Sequence, residues 1–314
     1  MSSRVYGLTA LFLVTILAAS ISLFIGPVRG APWAIIWQIR LPRVLLALLV
    51  GFALAGAGAV FQGVLRNPLA DPFILGTSGA AAAGVMTAGI LSFRNYSALY
   101  LMSLGFALLS IFVVYRIARV NGKTPIQTII LAGVIVSLFC NAAVFVFFSI
   151  FYRESFTMLF YLLGTLTEGN PALIAISGTI ICAGLFVTWL FSRELNALTQ
   201  GEETAFHLGV SVETTKKVLF VAASAMVAAA VSVAGMIGFV GLIVPHMMRM
   251  LVGPDHRVLI PASALGGAVF LIVADALART VLPPLEIPVG ALTALVGSPY
   301  FVYLLHQKQK VGEF

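Results

Sequence analysis

Between Arg43 and Arg66 the chain runs for 22 residues, Val44–Leu65, without a charged side chain. The pattern recurs over Pro72–Phe93, and the longest such run, Val218–Met248, has 31 residues. About 20 apolar residues rising ~1.5 Å each cross a hydrocarbon core of about 30 Å. Inside lipid every backbone N–H and C=O must be bonded within the protein, so runs of this kind form helices. With 61% hydrophobic residues, 9% charged and a mean hydropathy of +1.08, the sequence is that of an all-α polytopic membrane protein. No polar segment is long enough to build a second core, so residues 1–314 are expected to form one membrane domain.

Charges used as boundaries place spans near 8–26, 44–65, 73–92, 97–115, 126–150, 171–191, 215–234, 236–252, 259–278 and 288–305. The 31-residue run would make a helix of ~46 Å, too long for one crossing, and Gly235, Gly238 and Gly241 in its middle mark a break. Basic residues test that division. With ten spans and a cytoplasmic N-terminus, twelve basic residues lie inside and six outside, and every lysine is inside. Without the break the count is nine against nine. The expected setting is therefore a cytoplasmic membrane with both termini inside and lipid as the surrounding partner. The apolar stretch after Arg4 is too long for a cleaved signal peptide and reads as a retained first span.

Three stretches stand out between or within the spans. Gly51, Ala55, Ala59 and Gly63 recur every four residues, a small-residue stripe through which a second helix can approach closely. Segment 151–170 lacks the apolar length of a span and reads as a short outer interfacial helix. The inner loop 193–217 is amphipathic: Leu198, Ala205 and Leu208 are expected on one face, with Glu202, Glu203 and Glu213 toward water. That loop is a candidate dock for a soluble partner.

Chemistry for catalysis does not assemble. His207, His246, His256 and His306 fall near the cytoplasmic layer without a zinc-type pattern, and no metal site is expected. Asp275 is the one acidic residue inside an expected span, and Arg279, four residues on, pairs with it on one helical face. No phosphate-binding glycine-rich motif is present, so an ATP-driven transporter of this kind would need its ATPase on another chain. The net charge of +7 is scattered singly between apolar runs, which excludes a nucleic-acid stripe.

Several stretches in order, Arg40-Leu41-Pro42-Arg43, Asn67-Pro68-Leu69-Ala70-Asp71-Pro72, the Gly201–Gly209 loop, and the long tail from Gly235 onward, carry a family likeness. Over residues 40–305 the chain resembles the permease subunits of type II ATP-binding-cassette importers for iron-siderophores, haem and cobalamin. The resemblance implies ten spans, a homodimer, two ATPase subunits inside that bind ATP and Mg, no cofactor on this chain, and a substrate-binding protein outside. It implies that Arg40, Arg43 and Arg279 receive acidic residues of that binding protein. It places one inner gate at Asn67 and Leu69 and a second after Asn121, at Lys123 and Thr124, where small polar residues are the family's habit. Gly201, Glu202, Ala205, Leu208 and Gly209 match the element that touches the ATPase. An arginine at the outer end of a span can also anchor it at the headgroups, but three on one face, two around a proline, favour docking. The alternatives are a secondary transporter, which works on a gradient without an ATPase, and an intramembrane enzyme, which needs a catalytic pair.

Overall fold

The computed structural model describes residues 2–27, 32–91, 95–150, 163–166, 170–283 and 285–311. Among these residues the chain is helical, with one isolated β-bridge between Val120 and Lys123. In chain order the helices are α1 (Ser2–Phe24), α2 (Trp33–Val64), α3 (Thr77–Ile90), α4 (Tyr96–Ala118), α5 (Ile126–Ile150) and α6 (Pro171–Leu190). Two short ones follow, α7 (Ser192–Thr199) and α8 (Glu202–His207), then α9 (Val212–Ala234), α10 (Val240–Val252), α11 (His256–Thr280) and α12 (Val289–Val311).

Each of the ten expected spans coincides with a helix, but they differ in reach. Among the described residues seven helices, α1, α2, α4, α5, α6, α9 and α11, are long and apolar enough to cross a membrane. Helix α3 has 14 residues and α10 has 13, so each rises only ~20 Å. Helix α3 starts late because a 3-10 turn, Pro72–Leu75, precedes it and Gly76 turns the chain at φ 75°. The 31-residue run breaks where its glycines fall: α9 ends at Ala234, Gly235 takes φ 70°, and α10 begins after Phe239. The break is covered. The Ala234 carbonyl accepts from the Thr165 N–H at 2.8 Å, so a helix end inside the apolar layer keeps a partner. Of the expected outer helix at 151–170, only residues 163–166 and Asn170 are among the described residues.

Helix α2 corrects the expected boundary at residue 44. It begins at Trp33 and passes through Arg40 and Arg43 without stopping, because Ile36–Arg40 forms a π-helical turn. A proline in an ordinary helix collides with the carbonyl four residues back. The wider π turn directly before it leaves room for the Pro42 ring.

Helix α2 is also the centre of the molecule. It packs most extensively on α11 and then on α9, α10 and α6. The seam is built from small side chains, Ala53, Ala55, Ala57 and Ala59 on α2 and Ala228 and Ala229 on α9, all buried. Leaving lipid for protein gives an apolar side chain little, so stability here comes from close van der Waals approach. Helix α1 is peripheral, with Phe12, Leu13 and Leu17 exposed, and α5 turns Leu131, Leu138 and Phe139 outward.

Candidate functional site

The three arginines named from the sequence come together, but not as a free surface. Arg43 on α2 donates from Nε to Asp275 Oδ1 at 2.8 Å and from Nη1 to Glu286 Oε2 at 2.7 Å. Arg279 sits one turn along α11, its Nε 3.0 Å from Asp275 Oδ2 while donating to the Asp275 carbonyl at 3.3 Å. Its Nη2 reaches Ser22 Oγ on α1 at 2.8 Å. Arg40 donates from Nη1 to the Leu23 carbonyl at 3.0 Å. All three arginines and Asp275 are buried. An unpaired guanidinium in an apolar layer is costly, and Asp275 and Glu286 are within reach to neutralise Arg43 and Arg279. Glu286, 43% exposed, is the member of the cluster that faces outward. The i,i+4 pairing of Asp275 with Arg279 follows the helical spacing. Its cross-link to Arg43 does not.

At the other end of α2, Arg66 turns the chain at φ 50°, and the Asn67 side chain accepts from the Leu69 N–H at 2.9 Å. This tight turn exposes Asn67 and leaves Leu69 half-buried. Asp71 then caps the following 3-10 turn, accepting from the Phe73 N–H at 2.7 Å.

The second proposed gate is a two-residue hairpin. Asn121 and Gly122 have φ 50° and 81°, the left-handed pair of a type I′ turn, and Val120 and Lys123 exchange backbone bonds at 2.9 and 3.0 Å. Lys123, which closes the turn opposite Val120, is exposed, whereas Thr124 is buried. The N–H and Oγ1 of Thr124 both donate to Glu213 Oε2, at 3.0 and 2.6 Å.

Helix α8 is bracketed by Gly201 at φ 127° and Gly209 at φ 82°. Ala205 and Leu198 are buried as expected of the inward face. Leu208 is not: it is 68% exposed, as is Phe206. Leu208 is the C-cap residue, its N–H still bonded to the Thr204 carbonyl at 3.0 Å, so it keeps the helical register on a side of the loop that the described residues leave uncovered. The loop therefore presents two apolar side chains outward on an element held from beneath by Ala205.

The small-residue stripe has definite neighbours. A side chain at Gly51 would meet Gly267 and Ala268 of α11, and Ala55 faces Gly267 from the other side. Gly63 lies against His256 and Leu195. Ala59 is fully buried in the same seam.

Polar residues that sequence reading passed over pin the inner half. Gln62 donates to the Leu242 carbonyl at 3.1 Å and accepts from Arg249 Nη2 at 3.1 Å, tying α2 to the first and last turns of α10. A lone amide in an apolar run was the available signal. Asn196 on α7 donates to Asp255 Oδ1 at 2.8 Å and accepts from the His256 N–H at 2.9 Å. Asp255, in the turn before α11, is held well below the usual carboxylate range, first by hydrogen bonds from the Arg257 side chain, with burial opposing and Asn196 adding to the effect.

With this geometry in place, comparison with known proteins is informative. The model of the FecCD transport family matches residues 5–307. The chain is 44% identical over 275 residues, 88% of its length and 74% of the relative's, to the cobalamin import system permease protein BtuC of Halobacterium salinarum. It is 40% identical over 288 residues, 90% of its length and 86% of the relative's, to the hemin transport system permease protein HmuU of Yersinia pestis. Among solved structures, an inward-facing conformation of a putative metal-chelate type ABC transporter matches with a TM-score of 0.88 and 32% identity, over 96% of this chain and 99% of that one. A helical membrane fold with this inner loop and this chain-long likeness places the protein: it belongs to the FecCD transport family, the permease subunits of ATP-binding-cassette importers.

Proposed function

We propose that this chain imports a chelated metal, haem or a corrinoid across the cytoplasmic membrane of a bacterium or archaeon. The observation that carries this reading is the likeness over nearly the whole chain to permeases named for cobalamin and for hemin. Residues 1–314 act as one permease domain, two copies enclose the path, and both termini lie inside. The chain holds no cofactor of its own; ATP and Mg belong to two partner ATPases that contact the loop 193–217 through Phe206 and Leu208. Asn67, Leu69, Lys123 and Thr124 line the inner gates. The test is reconstitution with the ATPase and the external binding protein in vesicles. Uptake of cobalamin, haem or a ferric siderophore is expected only with ATP and the ATPase present. Gradient-driven uptake by the chain alone would instead make it a secondary transporter.

Docking of the binding protein is placed at the outer cluster. There Glu286 is the half-exposed carboxylate paired with the buried Arg43, so an acidic side chain arriving from outside can compete for that guanidinium. Since Glu286 is the half-exposed partner, it is the one such a side chain displaces. Glu286→Gln is therefore expected to tighten binding by about two- to fivefold, the scale of a partly exposed ion pair. Surface plasmon resonance against the binding protein reads this directly, and weaker binding would count against docking by displacement.

A further inference from the structure

Lys216 lies in the second turn of α9 and is 3% exposed, an unusual place for an ammonium group. It makes contacts to three segments at once. Nζ is 2.6 Å from Glu213 Oε1 on its own helix and 3.2 Å from both oxygens of Glu202 at the start of α8. It also donates to the Thr124 carbonyl at 3.0 Å, at the base of the 120–125 hairpin. Glu213 repeats the link from the other side through its two bonds from Thr124. The loop that carries Phe206 and Leu208 and the hairpin that carries Lys123 are therefore joined through one buried cation.

We propose that Lys216 is a positioning residue that makes α8 and the 120–125 hairpin move together, so that displacement of α8 by the ATPase is passed to the inner gate. This rests on the importer reading above. A buried ammonium has to stay paired; Glu213 holds Lys216 on its own helix, and releasing Glu202 or Thr124 would leave a buried N–H donor without its acceptor. The two carboxylates are different. Glu202 and Glu213 are 37% and 35% exposed and can turn to water if the lysine is removed. Lys216→Met keeps the length of the buried stem, removes the charge, and leaves no buried ion behind.

The experiment uses the reconstituted complex of permease, ATPase and binding protein, and reads substrate molecules imported per ATP hydrolysed. For Lys216→Met the ATPase rate is expected to stay within about twofold while the import ratio falls about three- to thirtyfold, the range for breaking a coupling contact. Lys216→Arg, which keeps charge and donors, is expected to recover much of the ratio. A purely structural role would lower import and hydrolysis together and leave the ratio at the wild-type value, which overturns the proposal. If Lys216→Met does not assemble, Glu213→Gln decides by the same ratio, and an unchanged value overturns the proposal. A wild-type complex that hydrolyses ATP without importing any of the candidate chelates would overturn the importer reading, and the strap with it. Wild-type import with a wild-type ratio in the variants overturns the strap alone.

Discussion

Asp275→Ala is expected to destabilise the protein by about 3–5 kcal/mol, the cost of removing one partner from a buried ion pair. Asp275 is fully buried and holds Arg43 from α2 and Arg279 from its own helix. Without it, two guanidinium groups stay in an apolar layer, and Glu286 reaches only one of them in the observed arrangement. The loss should appear as a large fall in the thermal midpoint of the detergent-solubilised protein and in the yield of monodisperse material. Asp275→Asn keeps an acceptor and should fall between. The combined variant Arg43→Met, Asp275→Leu and Arg279→Met removes the ions together and should return to within about 1–2 kcal/mol of the native protein. It also separates the two roles of the cluster: stability recovered while binding-protein affinity is lost supports docking at these arginines. A thermal midpoint unchanged by Asp275→Ala would mean that the pairing contributes nothing.

Gly51→Val should severely damage the core. Its Cβ would lie 2.6 Å from the carbonyl carbon of Gly267 and 2.7 Å from the Ala268 Cα. These are backbone atoms and cannot swing aside as a side-chain tip can. Overpacking a well-packed site costs about 1–3 kcal/mol, and here relief requires α2 and α11, the most extensively packed helix pair, to separate. The expected result is loss of monodisperse protein with insertion into the membrane retained. Ala55→Leu should act in the same direction, because Ala55 meets Gly267 in the same seam. Gly105→Val on α4 is the control, since nothing lies within 4 Å of its position. If Gly51→Val behaves like Gly105→Val, the close approach of α2 and α11 is not what holds the centre.

Both experiments bear on parts of the molecule that differ in how far a reader of the sequence could see them. The stripe from Gly51 to Gly63 is visible as a four-residue period, and its partner in α11 is not, because nothing in residues 51–63 names residue 267. The break at Gly235 follows from length and glycine together: a helix of ~46 Å is too long for one crossing, and the glycines at 235, 238 and 241 mark where it gives way. The start of α2 was misplaced for the opposite reason. Charges at Arg40 and Arg43 mark a membrane boundary only while they are unpaired, and here they are paired. The outward position of Leu208 is not legible in the sequence, because helical spacing groups it with Ala205 but does not say which side of the loop the neighbouring helices cover.

The sequence by itself determined the helical class, most of the places where helices run and break, and the family. Those follow from local properties: apolar length against bilayer thickness, glycine and proline positions, and short motifs in a fixed order. Tertiary structure alone decided which charges face outward and which are consumed internally. Arg43 meets Asp275 and Glu286 across 232 and 243 residues of chain, and Lys216 meets Thr124 across 92. Pair energies in an apolar interior fall steeply with distance and depend on the partner being present. The outer arginine cluster and the Lys216 strap therefore exist only once the helices have packed.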